Sequence, residues 1–388
     1  MLNQHFGRFV LGYALPLLVL LGCRESKTYR YAIPEKTNDS WDFASLASEK
    51  IADEPIKELI ERIYDDTYKN IHSVLVIRNG KLVLEEYFPG YNSDRKYRVY
   101  DRDTIHQVSS ITKSVNAILI GIAIDQHLIE GVDQKLSALM PSYSDVFSDT
   151  KKGEIRLKHL LTMTAGLAWD EWKYPYEDPR NDYVAMNDNK EPVRYILEQP
   201  LIAKPGEKFV YSTGGAVTLG EIIHQVSGIK ADKFAERYLF KPLGISKYIW
   251  SSNASGFVRT GSGLGLRPRD MAKIGYLYLN GGRWQGKQIV SEEWVKESIK
   301  NRVDPTQFPD WHKDDGYGYQ WWIRSFKVAG KVVPSYHAPG QGGQFIFVVP
   351  DLQLVAVFTG LNDGELALQP FEMLDRYILP AAMGVSTR

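Results

Sequence analysis

The stretch QVSSITKSVNAILIGIAI, residues 107–124, carries the pattern that decides the fold. From Val115 onward nearly every residue is apolar, which is typical of a helix buried on all sides. Ser110 and Lys113 lie three residues apart at its start, and this spacing places two side chains on one face of a helix. The stretch therefore predicts a central buried helix with a serine and a lysine side by side in its first turn.

Spacing alone does not single out Ser110, because four serines in this chain have a lysine three residues later. Ser110 is the one that opens a long apolar helix, whereas the others lie in polar loop sequence or beside a glycine. The pairs are Ser93 with Lys96, Ser110 with Lys113, Ser148 with Lys151, and Ser227 with Lys230. The adjacent hydroxyls Ser109 and Ser114 have no lysine one turn later, so context favours Ser110.

The position of Ser110 has two interpretations. It could cap the helix N-terminus while Lys113 extends to solvent. Alternatively, Ser110 could be a nucleophile, because free backbone N–H groups and the positive end of the helix dipole favour negative charge on its oxygen. Burial of Lys113 would then disfavour its charged form and leave an amine able to take a proton. The helix by itself leaves both interpretations open.

The flanking sequence predicts an α+β fold. Residues 73–88, SVLVIRNGKLVLEEYF, form a hairpin pattern around Asn79-Gly80, and residues 317–324 and 342–360 again have strand composition. Helical patterns fill residues 115–240, and a closing helix is expected from about Pro370. We therefore expect one domain over residues 51–388, with an antiparallel sheet flanked by helices and a helical insertion at about 115–240.

The overall charge excludes one class of partner. Lysine plus arginine and aspartate plus glutamate both total 47, so the protein has no net field to attract a polyanion. No nucleic-acid partner is expected. The eight histidines show no metal-binding spacing, so no metal site is expected either.

The N-terminus has the pattern of an export signal. Arg8 precedes a short apolar run that ends at Cys23, the one cysteine of the chain. Residues 20–23, LLGC, resemble the bacterial lipobox, in which the cysteine becomes the lipidated first residue. We therefore expect a signal peptide over residues 1–22, a polar tether over 23–50 and a lipid-anchored protein of the bacterial cell envelope.

Further motifs join the Ser110 stretch. HLLTMTAGL at 159–167, KPGEKFVYS at 204–212, RPRDMAKIGYLYLNGGRW at 267–284 and PGQGGQ at 339–344 follow it in that order. Together they resemble the SxxK serine hydrolases: class C β-lactamases, penicillin-binding DD-peptidases, and the related esterases and 6-aminohexanoate-oligomer hydrolases. The resemblance extends from about Ser73 to the C-terminus and implies the β-lactamase/transpeptidase-like fold, with no cofactor.

The resemblance assigns the catalytic residues. Ser110 matches the nucleophile, Lys113 the lysine that accepts or relays its proton, and Tyr211 the tyrosine that carries a proton to the leaving group. Whether Lys113 or Tyr211 is the base stays open. The third motif aligns with Ala338-Pro339-Gly340, and the backbone N–H groups of Ser110 and Gln341 are expected to form the oxyanion hole.

Several residues are expected at the substrate. Thr213 and Gly340 follow from the second and third motifs, and His337 could lean into the cleft. Trp169, Asp170 and Trp172 belong to an aromatic loop at 169–179 that either lines the cleft or packs on the helical region.

Two departures from the family pattern bear on the substrate. The second motif is Tyr211-Ser212-Thr213, without the asparagine that holds a substrate amide in relatives. The third has Ala338 where relatives carry a cationic residue. The expected substrate is therefore a small ester or amide, and peptidoglycan fragments are among the candidates. Cleavage is expected to pass through an acyl-Ser110 intermediate. The alternatives are a β-lactamase or DD-peptidase acting on cell-wall peptides, and a non-catalytic binding or sensor protein on the same fold.

Overall fold

The computed structural model describes residues 29–303, 307 and 315–385. Its strands are β1 Asp42–Phe43, β2 Ile71–Arg78, β3 Lys81–Tyr87, β4 Gly90–Tyr91, β5 Tyr97–Arg98, β6 His106–Gln107, β7 Ile249–Trp250, β8 Leu264–Leu266, β9 Arg283–Trp284, β10 Lys287–Gln288, β11 Gly316–Tyr317, β12 Trp322–Val328, β13 Lys331–Gly340, β14 Gln344–Val349 and β15 Leu354–Gly360.

The α-helices are α1 Asp53–Tyr64, α2 Ile111–Asp125, α3 Leu136–Leu139, α4 Leu157–Leu161, α5 Asp182–Asp188, α6 Pro192–Leu197, α7 Thr213–Ser227, α8 Ala231–Ala235, α9 Pro268–Leu279, α10 Glu292–Ser298, α11 Gln369–Met373 and α12 Leu379–Met383. Short π-helical turns, Glu236–Phe240 and Leu374–Ile378, extend α8 and join α11 to α12. Within the described ranges, every helix is too short or too polar to span a bilayer.

Eight strands form the main sheet, in the order β1, β3, β2, β15, β14, β13, β12, β11. All neighbours are antiparallel except β1 and β3. The turn between β2 and β3 consists of Asn79 and Gly80, with φ of 50° and 79°. Positive φ at both residues is the conformation that matches a two-residue turn to the twist of a hairpin. The predicted hairpin is therefore confirmed.

Helices cover both faces of this sheet. Helices α2 and α9 pack on one face, against the strands from β2 to β13, and α7 packs on the outer side of α2. Helices α1, α11 and α12 cover the other face, where Ile60 and Ile378 share a core with Val74 and Phe347. The α+β prediction, an antiparallel sheet flanked by helices, is confirmed.

Helix α2 is the central helix that the sequence predicts. All of its residues from Ile111 to Ala123 are buried. Gly121 allows the close packing, because a Cβ there would lie 2.4 Å from the ring of Trp294. The stretch expected to be a helical insertion, residues 115–240, is fully described and carries α2 to α8 without a strand.

The expected polar tether differs from the structure over residues 29–50. Strand β1 adds to the edge of the main sheet, and Trp41 is buried against Trp284. The guanidinium of Arg269, in α9, forms ion pairs with Asp39 and with Glu85 of β3. These contacts fix the segment to the domain, so it is not a tether. The expected signal peptide and Cys23 lie outside the described residues.

Candidate active site

Ser110 and Lys113 meet at the start of α2. The Lys113 Nζ lies 3.0 Å from the Ser110 Oγ and donates a second hydrogen bond of 2.8 Å to the carbonyl oxygen of Gly261. Lys113 is only 2% exposed. No salt bridge joins it to a carboxylate in the described part of the chain, so its amine is directed at the serine.

This geometry decides between the two interpretations of the stretch. Ser110 has helical backbone angles, φ −67° and ψ −11°, and its side chain accepts no capping hydrogen bond. Lys113 does not extend to solvent. The capping interpretation is therefore wrong, because the hydroxyl of Ser110 interacts with the lysine and not with the backbone N–H groups of the first turn.

The turn that precedes Ser110 is held on both sides. Ser109 has φ of 47°, a left-handed conformation that few residues other than glycine adopt, and its carbonyl accepts a hydrogen bond of 2.6 Å from the Thr112 hydroxyl. Val108 donates to the carbonyl of Leu264 in β8, and the backbone N–H of Leu264 donates to the Thr112 oxygen. Strand β8 thus holds the residues on both sides of Ser110.

Tyr211 completes the cluster from a different part of the chain. Its ring lies 4.8 Å from the Lys113 Nζ, measured to the centroid. It is stacked with Trp172, at 5.2 Å between centroids, and with Trp322 of β12, at 6.4 Å. Ser212, the next residue, accepts a hydrogen bond from the backbone of Gly215 and caps α7. The structure therefore brings Ser110, Lys113 and Tyr211 together, as predicted.

Two further tyrosines surround Tyr211. Burial raises the pKa of Tyr317 well above its ordinary value, and the nearby Tyr211 adds to this rise. Burial also raises the pKa of Tyr176, with smaller contributions from the Glu171 carboxylate and Tyr211. Both phenols therefore stay protonated at neutral pH and can act only as neutral hydrogen-bonding groups.

The third motif lies beside the turn before Ser110. Gly340 ends β13 so close to this turn that a Cβ would stand 2.2 Å from the carbonyl oxygen of Val108. Gln341 follows in an exposed turn, ahead of Gly342 and its φ of 95°. The participation of its backbone N–H in an oxyanion hole stays a prediction.

His337 does not lean into the cleft, and this prediction is wrong. Its side chain is fully buried, with ring centroids 5.5 Å from Phe347 and 5.1 Å from Phe371. These phenylalanines belong to the face of the sheet that α1 and α12 cover. Side chains alternate along a strand, and since Ala338 faces α2, the neighbouring His337 must face away from it. The third motif thus presents no cationic side chain to Ser110.

The aromatic loop at 169–179 has only one of its expected binding residues at the site. Trp172 is 45% exposed and stacks on Tyr211. Trp169 is buried and its indole N–H donates to Glu171, so its prediction as a rim residue is wrong. The Asp170 carboxylate accepts the backbone N–H groups of Trp172 and Lys173, which means that it orders the loop.

Thr213 is also unavailable to a substrate. It is 2% exposed, and both its backbone N–H and its hydroxyl donate to the carboxylate of Glu171. Three residues that the sequence does not predict, Glu171, Trp322 and Gly261, contact the site residues Thr213, Tyr211 and Lys113 in turn. A loop has no periodicity to distinguish Glu171 from Asp170, and the role of Gly261 rests on a backbone carbonyl that no side-chain pattern encodes.

Among the described residues, no group of three or more candidate ligands could hold a metal ion.

The fold and the site can be compared with known proteins. The family described as "Beta-lactamase" matches residues 69–365. A Salmonella heidelberg protein, provisionally named a D-alanyl-D-alanine carboxypeptidase, is 25% identical over 232 residues, which cover 58% of this chain and 52% of that protein. The match thus spans about half the length of this relative.

Solved structures give the same fold at lower identity. EstCE1, a hydrolase with promiscuous acyltransferase activity, has a TM-score of 0.66 at 17% identity, covering 87% of this chain and 99% of its own. A protein from Bacillus anthracis, provisionally named a 6-aminohexanoate-dimer hydrolase, has a TM-score of 0.65 at 21% identity, with 84% and 81% covered.

The similarity to solved structures establishes the fold, and the family match establishes the family to which the chain belongs. This match includes the Ser110 stretch, the segment with Tyr211 and the glycine-rich third motif, and it spans well over half of the 388 residues. The resemblance to the SxxK hydrolases is confirmed. The chain belongs to the beta-lactamase family.

Proposed function

We propose that this protein is a serine hydrolase that cleaves a small ester or amide through an acyl-Ser110 intermediate. The observation that carries the proposal is the 3.0 Å contact between the Ser110 Oγ and the Lys113 Nζ at the N-terminus of a buried helix. A nucleophile within hydrogen-bond reach of its base is the arrangement that covalent catalysis requires.

The proposed acylation moves one proton at each stage. The amine of Lys113 accepts the hydroxyl proton as the Ser110 oxygen attacks the substrate carbonyl. The resulting oxyanion lies at the N-terminal end of α2, where the helix dipole and the backbone N–H of Ser110 stabilise negative charge. The Tyr211 phenol donates its proton to the leaving group and regains one from Lys113. Water then attacks the acyl-enzyme by the same route in reverse.

The surroundings of the site favour an uncharged substrate. Ala338 and Gly340 provide no cation for a substrate carboxylate, and His337 faces the opposite side of the sheet. The exposed face of Trp172 beside Tyr211 instead offers an apolar wall. Esters and simple amides therefore fit better than β-lactams or peptides ending in D-Ala-D-Ala. The named activity of the Salmonella relative makes peptidoglycan peptides the alternative to test.

Covalent labelling tests the proposal. A fluorophosphonate should add one adduct, located on Ser110 by peptide mass spectrometry, and Ser110→Ala should abolish it. Lys113→Ala should slow labelling by about 10²–10⁴-fold. Ser93→Ala is the matched control, since Ser93 has the same spacing to Lys96 but lies in an exposed loop. Normal labelling of the Ser110→Ala protein would disprove the assignment.

A substrate panel then distinguishes the candidate activities. We expect turnover of p-nitrophenyl and alkyl esters, with slower turnover of nitrocefin, a D-Ala-D-Ala peptide and a 6-aminohexanoate dimer. Rapid nitrocefin or D-Ala-D-Ala turnover with no ester hydrolysis would favour the cell-wall alternative. A folded protein that no probe acylates would favour a binding or sensor role.

We also propose that the protein is anchored in the bacterial cell envelope by a lipid on Cys23. The support is the lipobox-like LLGC at residues 20–23, after an apolar run of signal-peptide length. Replacing Cys23 by serine should release the protein from the membrane fraction. Unchanged retention of that variant would contradict lipid anchoring.

A further inference from the structure

Glu171 is a buried carboxylate that the proposed chemistry does not use. It is 3% exposed and accepts four hydrogen bonds. One oxygen accepts the indole N–H of Trp169 at 2.7 Å and the backbone N–H of Thr213 at 2.8 Å. The other accepts the Thr213 hydroxyl at 2.9 Å and the Tyr176 phenol at 3.2 Å. Four donors thus satisfy the acceptor capacity of the carboxylate.

These donors come from two separate segments. Trp169 and Tyr176 belong to the aromatic loop, whereas Thr213 is the first residue of α7. No salt bridge involves Glu171 in the described ranges, so hydrogen bonds and the N-terminal end of α7 balance its charge. The carboxylate therefore joins the loop to the start of α7 through directional contacts.

Tyr211 lies between the two joined segments. Trp172, the residue after Glu171, stacks on one face of the Tyr211 ring at 18° between planes. Thr213, two residues after Tyr211, is fixed by its two bonds to Glu171. The ring is consequently held both by its own chain and by the loop above it.

We propose that Glu171 is a positioning residue that holds Tyr211 in line with Lys113 and the leaving group. This inference rests on the proposed function, because it assigns the proton donation to Tyr211. Hydrogen bonds to fixed donors restrict geometry more tightly than apolar contacts do. A reacting group displaced by about 1 Å can lose on the order of 10²-fold in rate.

Glu171→Leu and Glu171→Gln separate positioning from charge. Leucine of similar size removes all four acceptor sites. Glutamine can turn its oxygen to the N–H groups of Trp169 and Thr213, because these groups can only donate. Its amide N–H groups then face the hydroxyls of Thr213 and Tyr176, which can also accept. We therefore expect Glu171→Leu to impair catalysis and Glu171→Gln to retain most of it.

The leaving group provides a readout that a purely structural role would not change. Two esters with one acyl group, p-nitrophenyl butyrate and ethyl butyrate, give the same acyl-enzyme. The ethoxide leaving group needs a proton from Tyr211 far more than p-nitrophenolate does. Glu171→Leu should lower kcat/KM for ethyl butyrate on the order of 10²-fold and for the p-nitrophenyl ester less than about 10-fold.

Three controls complete the experiment. Tyr211→Phe should give the same leaving-group dependence, and adding Glu171→Leu to it should lower kcat/KM by less than about two-fold, since residues that act as a unit are not additive. Glu85→Leu removes another buried carboxylate, in β3, which three other strands of the main sheet separate from β13. It should lower stability without changing the ratio between the two esters. If Glu171→Leu does not fold, Thr213→Val removes one of the four bonds and should show a smaller effect with the same dependence.

The outcomes are distinct. Equal losses for both esters, additive effects with Tyr211→Phe, or a Glu171→Gln loss as large as that of Glu171→Leu would overturn the proposal for Glu171. A wild-type protein that neither ester nor a fluorophosphonate acylates would refute the proposed function and this inference with it. Wild-type acylation together with an unaffected Glu171→Leu variant would refute the inference alone.

Discussion

Gly340→Ala should disable the site while leaving the protein folded. The added Cβ would stand 2.2 Å from the carbonyl oxygen of Val108, and the nearest comfortable separation is about 1 Å longer. The same oxygen accepts the backbone N–H of Ile111 at 3.1 Å, so moving it disturbs the turn that holds Ser110. Backbone atoms cannot rotate aside as a side chain can, which means that the end of β13 and this turn must separate.

The expected magnitude follows from that displacement. A shift of about 1 Å in a catalytic geometry costs on the order of 10²-fold in rate, or about 2.7 kcal/mol of activation free energy. Overpacking at a buried contact lowers the free energy of unfolding by about 1–3 kcal/mol. We therefore expect a folded variant with a slightly lower melting temperature and about 1% of the wild-type acylation rate.

The assay is the rate of fluorophosphonate labelling, followed by intact mass, beside a thermal melt of the same sample. Gly131→Ala is the matched control, because a Cβ at Gly131 meets nothing within 4 Å. Its labelling rate should equal that of the wild type. A Gly340→Ala protein that labels at the wild-type rate would refute the close apposition of β13 and the Ser110 turn.

Three other predictions follow from the described contacts. Burial lowers the pKa of His72 to about 3 and that of His106 to about 4, so the folded protein resists protonation of groups that the unfolded chain protonates below pH 6.5. This contribution to the free energy of unfolding is complete above about pH 6.5 and is lost as the pH falls toward 4. In urea titrations, the free energy of unfolding of His72→Gln should fall by roughly 3 kcal/mol less than that of the wild type over this pH range. Trp172→Ala should lower kcat/KM for aryl esters by about 3- to 10-fold through the lost ring contact, with a melting temperature close to wild type; an unchanged kcat/KM would place the substrate elsewhere. Arg269→Ala leaves the Glu85 carboxylate buried without its cation and should cost about 3–5 kcal/mol in chemical denaturation, with Ser110 labelling retained at temperatures where the variant is folded.

The sequence predicts the catalytic cluster well because its central pair is local. Helical spacing alone brings Ser110 beside Lys113, and the apolar run after them buries the pair. The Asn79-Gly80 hairpin is equally local, since both residues tolerate positive φ. Tyr211 required the family resemblance, because it comes from a segment about a hundred residues away.

The errors have physical causes that a single sequence does not reveal. The face on which His337 lies depends on strand parity, and a shift of one residue in the motif alignment reverses it. Residues 29–50 look like a tether because their polar sequence has no periodic apolar face. An ion pair from Asp39 to Arg269 and the burial of Trp41 against Trp284 fix them to the domain instead. The contact of Gly261 with Lys113 joins positions 148 residues apart, which only the folded chain brings together.

If Cys23 carries the proposed lipid, the packing of residues 29–50 on the domain limits how far the domain can lie from the membrane. Tyr29 donates a hydrogen bond to Glu86 in β3, so the chain is already fixed to the domain at this point. A lipid on Cys23, as proposed, would leave six residue steps, which reach roughly 20 Å even when fully extended. A globular domain of this size is about 50 Å across. Such a short connection would keep the domain from tumbling freely and would hold the side that carries Tyr29 toward the lipid. The enzyme would then sample only the layer of substrate next to the bilayer.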